Sequence, residues 1–102
     1  MKKVAVITGG ASGIGLAIAR RFIEGNLKVV IVGRDTVKLR AACKTLGEES
    51  DFFSCDLADL SAIPGLVQQV IDKHGRIDIL VNNAGINLKK PILDVTDEDY
   101  QK

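Results

Sequence analysis

The sequence predicts an α/β fold in which a parallel sheet carries helices on both faces, and three observations lead there. Three short apolar runs at residues 4–7, 29–32 and 77–81 are rich in β-branched residues and, Asp78 apart, hydrophobic at consecutive positions. Strands covered on both sides have that pattern, whereas half-exposed strands alternate. The segments between the runs repeat apolar residues at intervals of three and four, as helices do, and the links are too short for anything but adjacent crossovers.

Taken in order, the first run, 4–7, reads as β1. Ile14, Ala17, Ile18 and Phe22, with Ile23 on the flank, then mark an amphipathic helix that Gly25-Asn26 stops. The run 29–32 is β2. Val37, Leu39, Ala42 and Leu46 repeat the helical spacing more weakly up to Gly47, and the weaker run 51–54 is β3. Leu66, Val67, Val70 and Ile71 form a third helix ending at His74-Gly75, where the imidazole meets the negative end of the helix dipole. Pro64 falls in the start of that helix and is expected to delay or kink its first turn. The run 77–81 is β4, and its apolar residues on both faces suit a central strand with a neighbour on each side. Thr96, followed by Asp97, Glu98 and Asp99, offers an N-cap and acidic first turn for one more helix.

Composition excludes several classes. The chain has 102 residues, 46% of them hydrophobic and 26% charged, with a net charge of +1 and scattered cations. A domain of this size buries about 60–65% of the surface its unfolded chain exposes. No basic stripe suggests nucleic acid, and no electrostatic feature suggests an anionic membrane. The uncharged stretch 4–19 is broken by glycines and hydroxyls, so it is expected to be neither a membrane span nor a secretory signal, which leaves the cytoplasm as the expected location. Cys43 and Cys55 match no common zinc or redox spacing and read as reduced, partly buried thiols, and no metal site is expected.

The stretch VITGGASGIGLAIA, residues 6–19, places Gly9, Gly10, Gly13 and Gly15 between β1 and the first helix. Glycines in a strand-to-helix turn permit positive φ and close backbone approach, and the helix start turns N–H groups and a dipole toward a phosphate. The spacing is Gly-x3-Gly-x-Gly rather than the general dinucleotide fingerprint. A tight turn without a ligand is the competing reading.

TGGASGIG at residues 8–15 resembles the TGxxxGxG cofactor motif of the short-chain dehydrogenase/reductase family. CDL at 55–57 resembles its adenine-contacting segment, and NNAG at 82–85 resembles its fourth-strand signature. The resemblance covers the whole chain and implies a Rossmann-like doubly wound parallel sheet, incomplete at about four strands in the order 3-2-1-4, with a ligand crevice between β1 and β4. It places Gly9, Ser12, Gly13, Ile14 and Gly15 around a pyrophosphate and ribose. Asp56 would accept from the adenine amino group with Leu57 beside it, unless it is a turn aspartate. Asn83, Ala84 and Gly85 would pass the adenosine ribose, while the asparagine side chains help to hold β4 to its neighbours.

At the tip of β2, a carboxylate would bond the 2′-hydroxyl of NAD, whereas an arginine accommodates the 2′-phosphate of NADP. Gly33 occupies the carboxylate position and Arg34 follows with a planar fork suited to phosphate. Asp35 reads as a helix cap. NADP is therefore the expected cofactor, with NAD possible. No further basic residue lies in the glycine loop.

The family's chemistry is performed by a serine and a YxxxK pair. Tyr100, the sole tyrosine, stands in Tyr-x-Lys with Lys102, one residue pair short of that spacing, so no catalytic residue is assigned. Residues 1–102 are thus expected to be the N-terminal dinucleotide-binding portion of a longer oxidoreductase. That enzyme would act on a small carbonyl or alcohol of 3-oxoacyl or sugar-acid type and assemble as a homo-oligomer. The alternative is a non-catalytic nucleotide-binding or vestigial domain that self-associates through β4.

Overall fold

The computed structural model describes residues 2–11 and 13–83. Ser12, Ala84, Gly85, the helix start expected at Thr96 and Tyr100 lie outside the described residues. The elements run β1 (Val4–Thr8), α1 (Gly13–Glu24), β2 (Lys28–Gly33), α2 (Thr36–Leu46), β3 (Ser50–Ser54), α3 (Ile63–His74) and β4 (Ile79–Asn82). The sheet order is β3-β2-β1-β4, and every pairing is parallel.

Continuous hydrophobicity in β1 and β2 follows from burial on both faces. Ile7, Val29 and Ile31 point to one side and pack on Ala19, Leu39 and Ala42 of α1 and α2. Val4, Val6, Val30 and Val32 point to the other side and meet Leu66 and Val70 of α3. Each of these strand residues is at most 4% exposed, and burying such a side chain contributes about 1.5–3 kcal/mol. Cys43 packs on the α1/α2 side and Cys55 on the α3 side, so the sheet separates the two free thiols.

The helix ends obey local rules. Asp35 caps α2, its Oδ1 accepting from Val37 N–H at 3.0 Å and Lys38 N–H at 3.2 Å. At the end of α1 the left-handed residue is Asn26 (φ 71°) rather than Gly25, and Leu27 N–H returns to Phe22 O at 3.0 Å. Gly75 ends α3 in the left-handed region. Pro64 neither delays α3 nor costs it a bond. The helix opens at Ile63, which places Pro64 in the first turn, where N–H groups lack intrahelical partners anyway. A 3-10 turn, Leu60–Ala62, leads into it, capped by Asp59.

β4 begins two residues later than its apolar run. Asp78 is held by backbone and side chain together: its N–H donates to Val4 O at 2.8 Å and its Oδ2 accepts from Val4 N–H at 2.8 Å. Arg76 grips the same carboxylate through Nε and Nη2 at 2.7 and 2.6 Å. β4 pairs with β1 on one side, and among the described residues no strand pairs with its other side. Leu80 is 46% exposed and faces the cleft beside α3.

Two glycines in helices make opposite demands. A Cβ on Gly15 would overlap the Gly9 carbonyl oxygen and stand 2.8 Å from its carbon, so α1 lies directly against the chain leaving β1. A Cβ on Gly65 in α3 would meet nothing within 4 Å. Gly65→Ala should therefore raise stability by about 0.5–1 kcal/mol through helix propensity, and Gly15→Ala should lower it by about 1–3 kcal/mol through overpacking. Urea melts of the two variants check both signs.

Acid should weaken the fold through two carboxylates. Asp51 takes Lys73 Nζ and His74 Nε2 on one oxygen, each at 2.9 Å. Burial raises the Asp51 pKa, but bonds from Lys73, His74 and the Phe52 N–H outweigh it and leave it below the ordinary carboxylate value. Arg76 and the Val4 N–H lower Asp78 likewise. Groups with depressed folded pKa values stabilise fully above the unfolded value of about 4 and lose that contribution as pH falls through the folded value. The urea midpoint should drop as pH falls below about 4. Asp78→Asn should be weaker than the parent at pH 7, with the gap narrowing as pH falls below about 4.

Candidate functional site

The register brings the carboxyl ends of all four strands level. Thr8 lies opposite Val32 on one side and Asn82 on the other, and Gly33 lies opposite Ser54. Open parallel sheets bind ligands beyond these ends, at the point where the strand order reverses, here between β1 and β4. Gly9, Arg34, Asp56 and Asn83 each follow or lie at one of the four tips.

The glycine turn begins with positive φ at Gly9 (70°) and closes with positive φ at Gly13 (59°), conformations that a side chain disfavours. Both backbone polar groups of Gly9 are already used: its N–H donates to Val32 O at 2.8 Å and its carbonyl accepts from Asn83 Nδ2 at 3.3 Å. Gly9 therefore contributes shape and clearance, not a donor. The donors suited to an anion are the N–H groups of the first turn of α1, which have no intrahelical acceptor. No acidic side chain stands in that turn, and Ile14 presents a side chain 60% exposed beside it. Gly10, absent from the expected site, has a packing role, since a Cβ there would run into the Ile31 side chain, 2.8 Å from its Cβ.

Thr8 was not singled out by the sequence as a site residue, yet it joins the turn to β4. Its buried hydroxyl accepts from Asn83 N–H at 2.7 Å and lies 3.3 Å from Val81 O and 3.2 Å from Asn82 Oδ1. Both asparagines thus hold β4 to β1, as their side chains were expected to do. In the sequence Thr8 shows only as the first residue of the TGGASGIG motif, a hydroxyl closing an otherwise aliphatic strand.

Arg34 is exposed at the tip of β2, and among the described residues no carboxylate pairs with it. A Cβ on Gly33 would meet only Leu39 at 3.5 Å, so packing does not require glycine there. Asp56 is exposed, and its Oδ1 accepts from Ala58 N–H at 3.0 Å, a turn role that fixes the carboxylate at the rim of a cleft of about 410 Å³. Leu57 is half-buried and lines a second cleft, of about 440 Å³, between α3 and the β1/β4 edge. That cleft is apolar apart from Thr8 and Asn82. Burial, with the Asp56 and Asp59 carboxylates, pushes the Cys55 thiol up and keeps it from acting as a thiolate. Burial and Asp51 outweigh the Ser50 hydrogen bond and do the same at Cys43. No helix among the described residues is long and apolar enough to cross a membrane.

This geometry recurs in known proteins. Galactitol 2-dehydrogenase of Agrobacterium fabrum is 39% identical over 98% of this chain, which spans 39% of that relative's length. Among solved structures, an actinorhodin polyketide ketoreductase with NADPH matches at a TM-score of 0.79 and 38% identity, covering 98% of this chain and 40% of its own. The 3-ketoacyl-(acyl-carrier-protein) reductase of Brucella melitensis complexed with NADH matches at 0.77 and 39% identity, covering 87% of this chain and 37% of its own. The model of the short chain dehydrogenase family matches residues 3–102. With its 3-2-1-4 sheet and glycine turn at the reversal point, the chain belongs to the short chain dehydrogenase family.

Proposed function

We propose that this chain is the cofactor-binding portion of an NADP-dependent oxidoreductase that moves a hydride between nicotinamide and a carbonyl or secondary alcohol. The observation that carries the reading is the glycine turn at the β1/β4 reversal, packed so closely at Gly9 and Gly15 that no side chain fits between strand and helix. In this reading Gly9, Ser12, Gly13, Ile14 and Gly15 surround the pyrophosphate, with N–H groups of the α1 start as donors. Arg34 takes the 2′-phosphate and Gly33 leaves room for it. Asp56 offers its second oxygen to the adenine amino group, with Leu57 against the ring. Asn83, Ala84 and Gly85 pass the ribose.

When bound, the nicotinamide supplies or receives the hydride, while this chain's residues bind and orient the dinucleotide. Supporting the choice of NADP are the Arg34 guanidinium, which pairs with no carboxylate among the described residues, and the NADPH-bound neighbour, and the NADH-bound reductase keeps NAD as the alternative. The substrate is read as a carbonyl or secondary alcohol of 3-oxoacyl or sugar-acid type, and a galactitol dehydrogenase and a 3-ketoacyl reductase among the similar proteins support the coarser carbonyl-or-alcohol class. A cytoplasmic setting fits the two free thiols. Assembly of the whole enzyme as a homo-oligomer rests on the family resemblance.

Titration with NADPH and NADH, followed by nicotinamide fluorescence, tests the reading. NADPH should bind more tightly. Arg34→Ala should weaken it about tenfold, the loss of one charge-assisted phosphate contact, and leave NADH nearly unchanged. Gly33→Asp should reverse the preference. Tighter NADH binding, or unchanged NADPH binding in Arg34→Ala, overturns the NADP assignment, and binding of neither overturns the cofactor site.

A further inference from the structure

We propose that Lys38, in the first turn of α2, is a second determinant of 2′-phosphate recognition and that Arg34 does not suffice without it; the inference rests on the cofactor reading above.

The charges at the strand tips lead to this. Arg34 is followed at once by Asp35, and the tip of β3 adds the exposed Asp56. The loops at these tips thus carry one cation and two carboxylates, whereas a ribose 2′-phosphate carries about −1.5 to −2 at neutral pH, as phosphate monoesters do. Capping makes Asp35 a fixed feature, because its Oδ1 receives the Val37 and Lys38 N–H groups and its carbonyl receives Leu39 N–H at 3.0 Å. The chain therefore cannot shed this negative charge without loosening α2.

Lys38 supplies the compensation. Its own N–H is bonded to the cap, which places it one turn into the helix. Helical side chains lean toward the N-terminus, so a long lysine here reaches back along the turn that carries Asp35 and Arg34. Lys38 is exposed, and among the described residues no carboxylate forms an ion pair with it. The other cations of α2, Arg40 and Lys44, lie further along the helix. Lys44 is six residues beyond Lys38, about 9 Å of helical rise, roughly one Debye length at physiological salt. Lys38 is the α2 cation nearest in sequence to the tip of β2 and the one that lies in the first turn.

Equilibrium titrations of the parent, Lys38→Gln, Lys38→Arg and Lys44→Gln with NADPH, NADH, 2′,5′-ADP and ADP separate the outcomes. Lys38 is exposed and its cap bond is made by the backbone, so an unchanged urea melt is expected for Lys38→Gln. That variant should bind NADPH and 2′,5′-ADP about three- to tenfold more weakly, leave NADH and ADP within about twofold, and flatten the salt dependence of NADPH binding, effects sized for a single solvated charge contact. Lys38→Arg should restore binding, and Lys44→Gln should change little. Equal weakening of phosphorylated and unphosphorylated ligands by Lys38→Gln, or no weakening of either, overturns the role of Lys38 while the cofactor reading stands. Failure of the parent to bind any of the four ligands overturns both.

Discussion

Everything at the carboxyl end of the sheet depends on how Gly9 is held. Its N–H reaches back to β2 at Val32 and its carbonyl receives the Asn83 side chain from beyond β4, so one residue is tied to the strands on either side of β1. This double engagement sets the direction in which the chain leaves β1 and therefore the line along which α1 approaches. Gly15 then settles against the Gly9 carbonyl with no space for a Cβ. With both its polar groups engaged, Gly9 itself has no N–H to offer an anion. A helix terminus held this near the sheet adds its dipole to its own first-turn N–H groups. The Thr8 hydroxyl extends the tie by accepting Asn83 N–H at 2.7 Å, making the end of β4 and the turn one unit.

The fold was largely legible in the sequence because its signals are local. Consecutive β-branched residues, three- and four-residue spacing, Asp35 as a cap and Gly47 and Gly75 as stops all act within one or two turns of chain. What escaped reading acts at long range. Asp78 looks like one polar residue inside an apolar run, yet its partners are Arg76 and the backbone of Val4, 74 positions away, and that engagement moves the start of β4 to Ile79. Thr8 and Gly10 were visible only as parts of a motif. Their contacts, with Asn82, Asn83 and Ile31, appear when the strands lie side by side. Asp56 illustrates a reading that sequence left double. The structure assigns one oxygen to a turn, which fits either role because a carboxylate has two.

Charge is divided between the two ends of the sheet, with paired charges at one end and open ones at the end of the proposed site. The ion pairs among the described residues gather at the amino ends of the strands and the carboxyl ends of the helices: Lys2–Glu49, Arg21–Glu24, Arg76–Asp78 and the Asp51 group with Lys73 and His74. His74, with a side chain 5% exposed, and Lys73 close the last turn of α3, where cations suit the helix dipole. At the opposite end Arg34, Lys38, Asp35, Asp56 and Asp59 form no ion pairs with one another. The acids there accept backbone N–H groups, while the two cations stay solvated. Pairing those cations internally would add little stability, since exposed pairs contribute about 0–1 kcal/mol, and it would occupy the groups most suited to phosphate. Carboxylates that cap and cations that remain open are thus consistent demands on the same loops. The paired end of the sheet holds the strands in register, and the register keeps the opposite tips level.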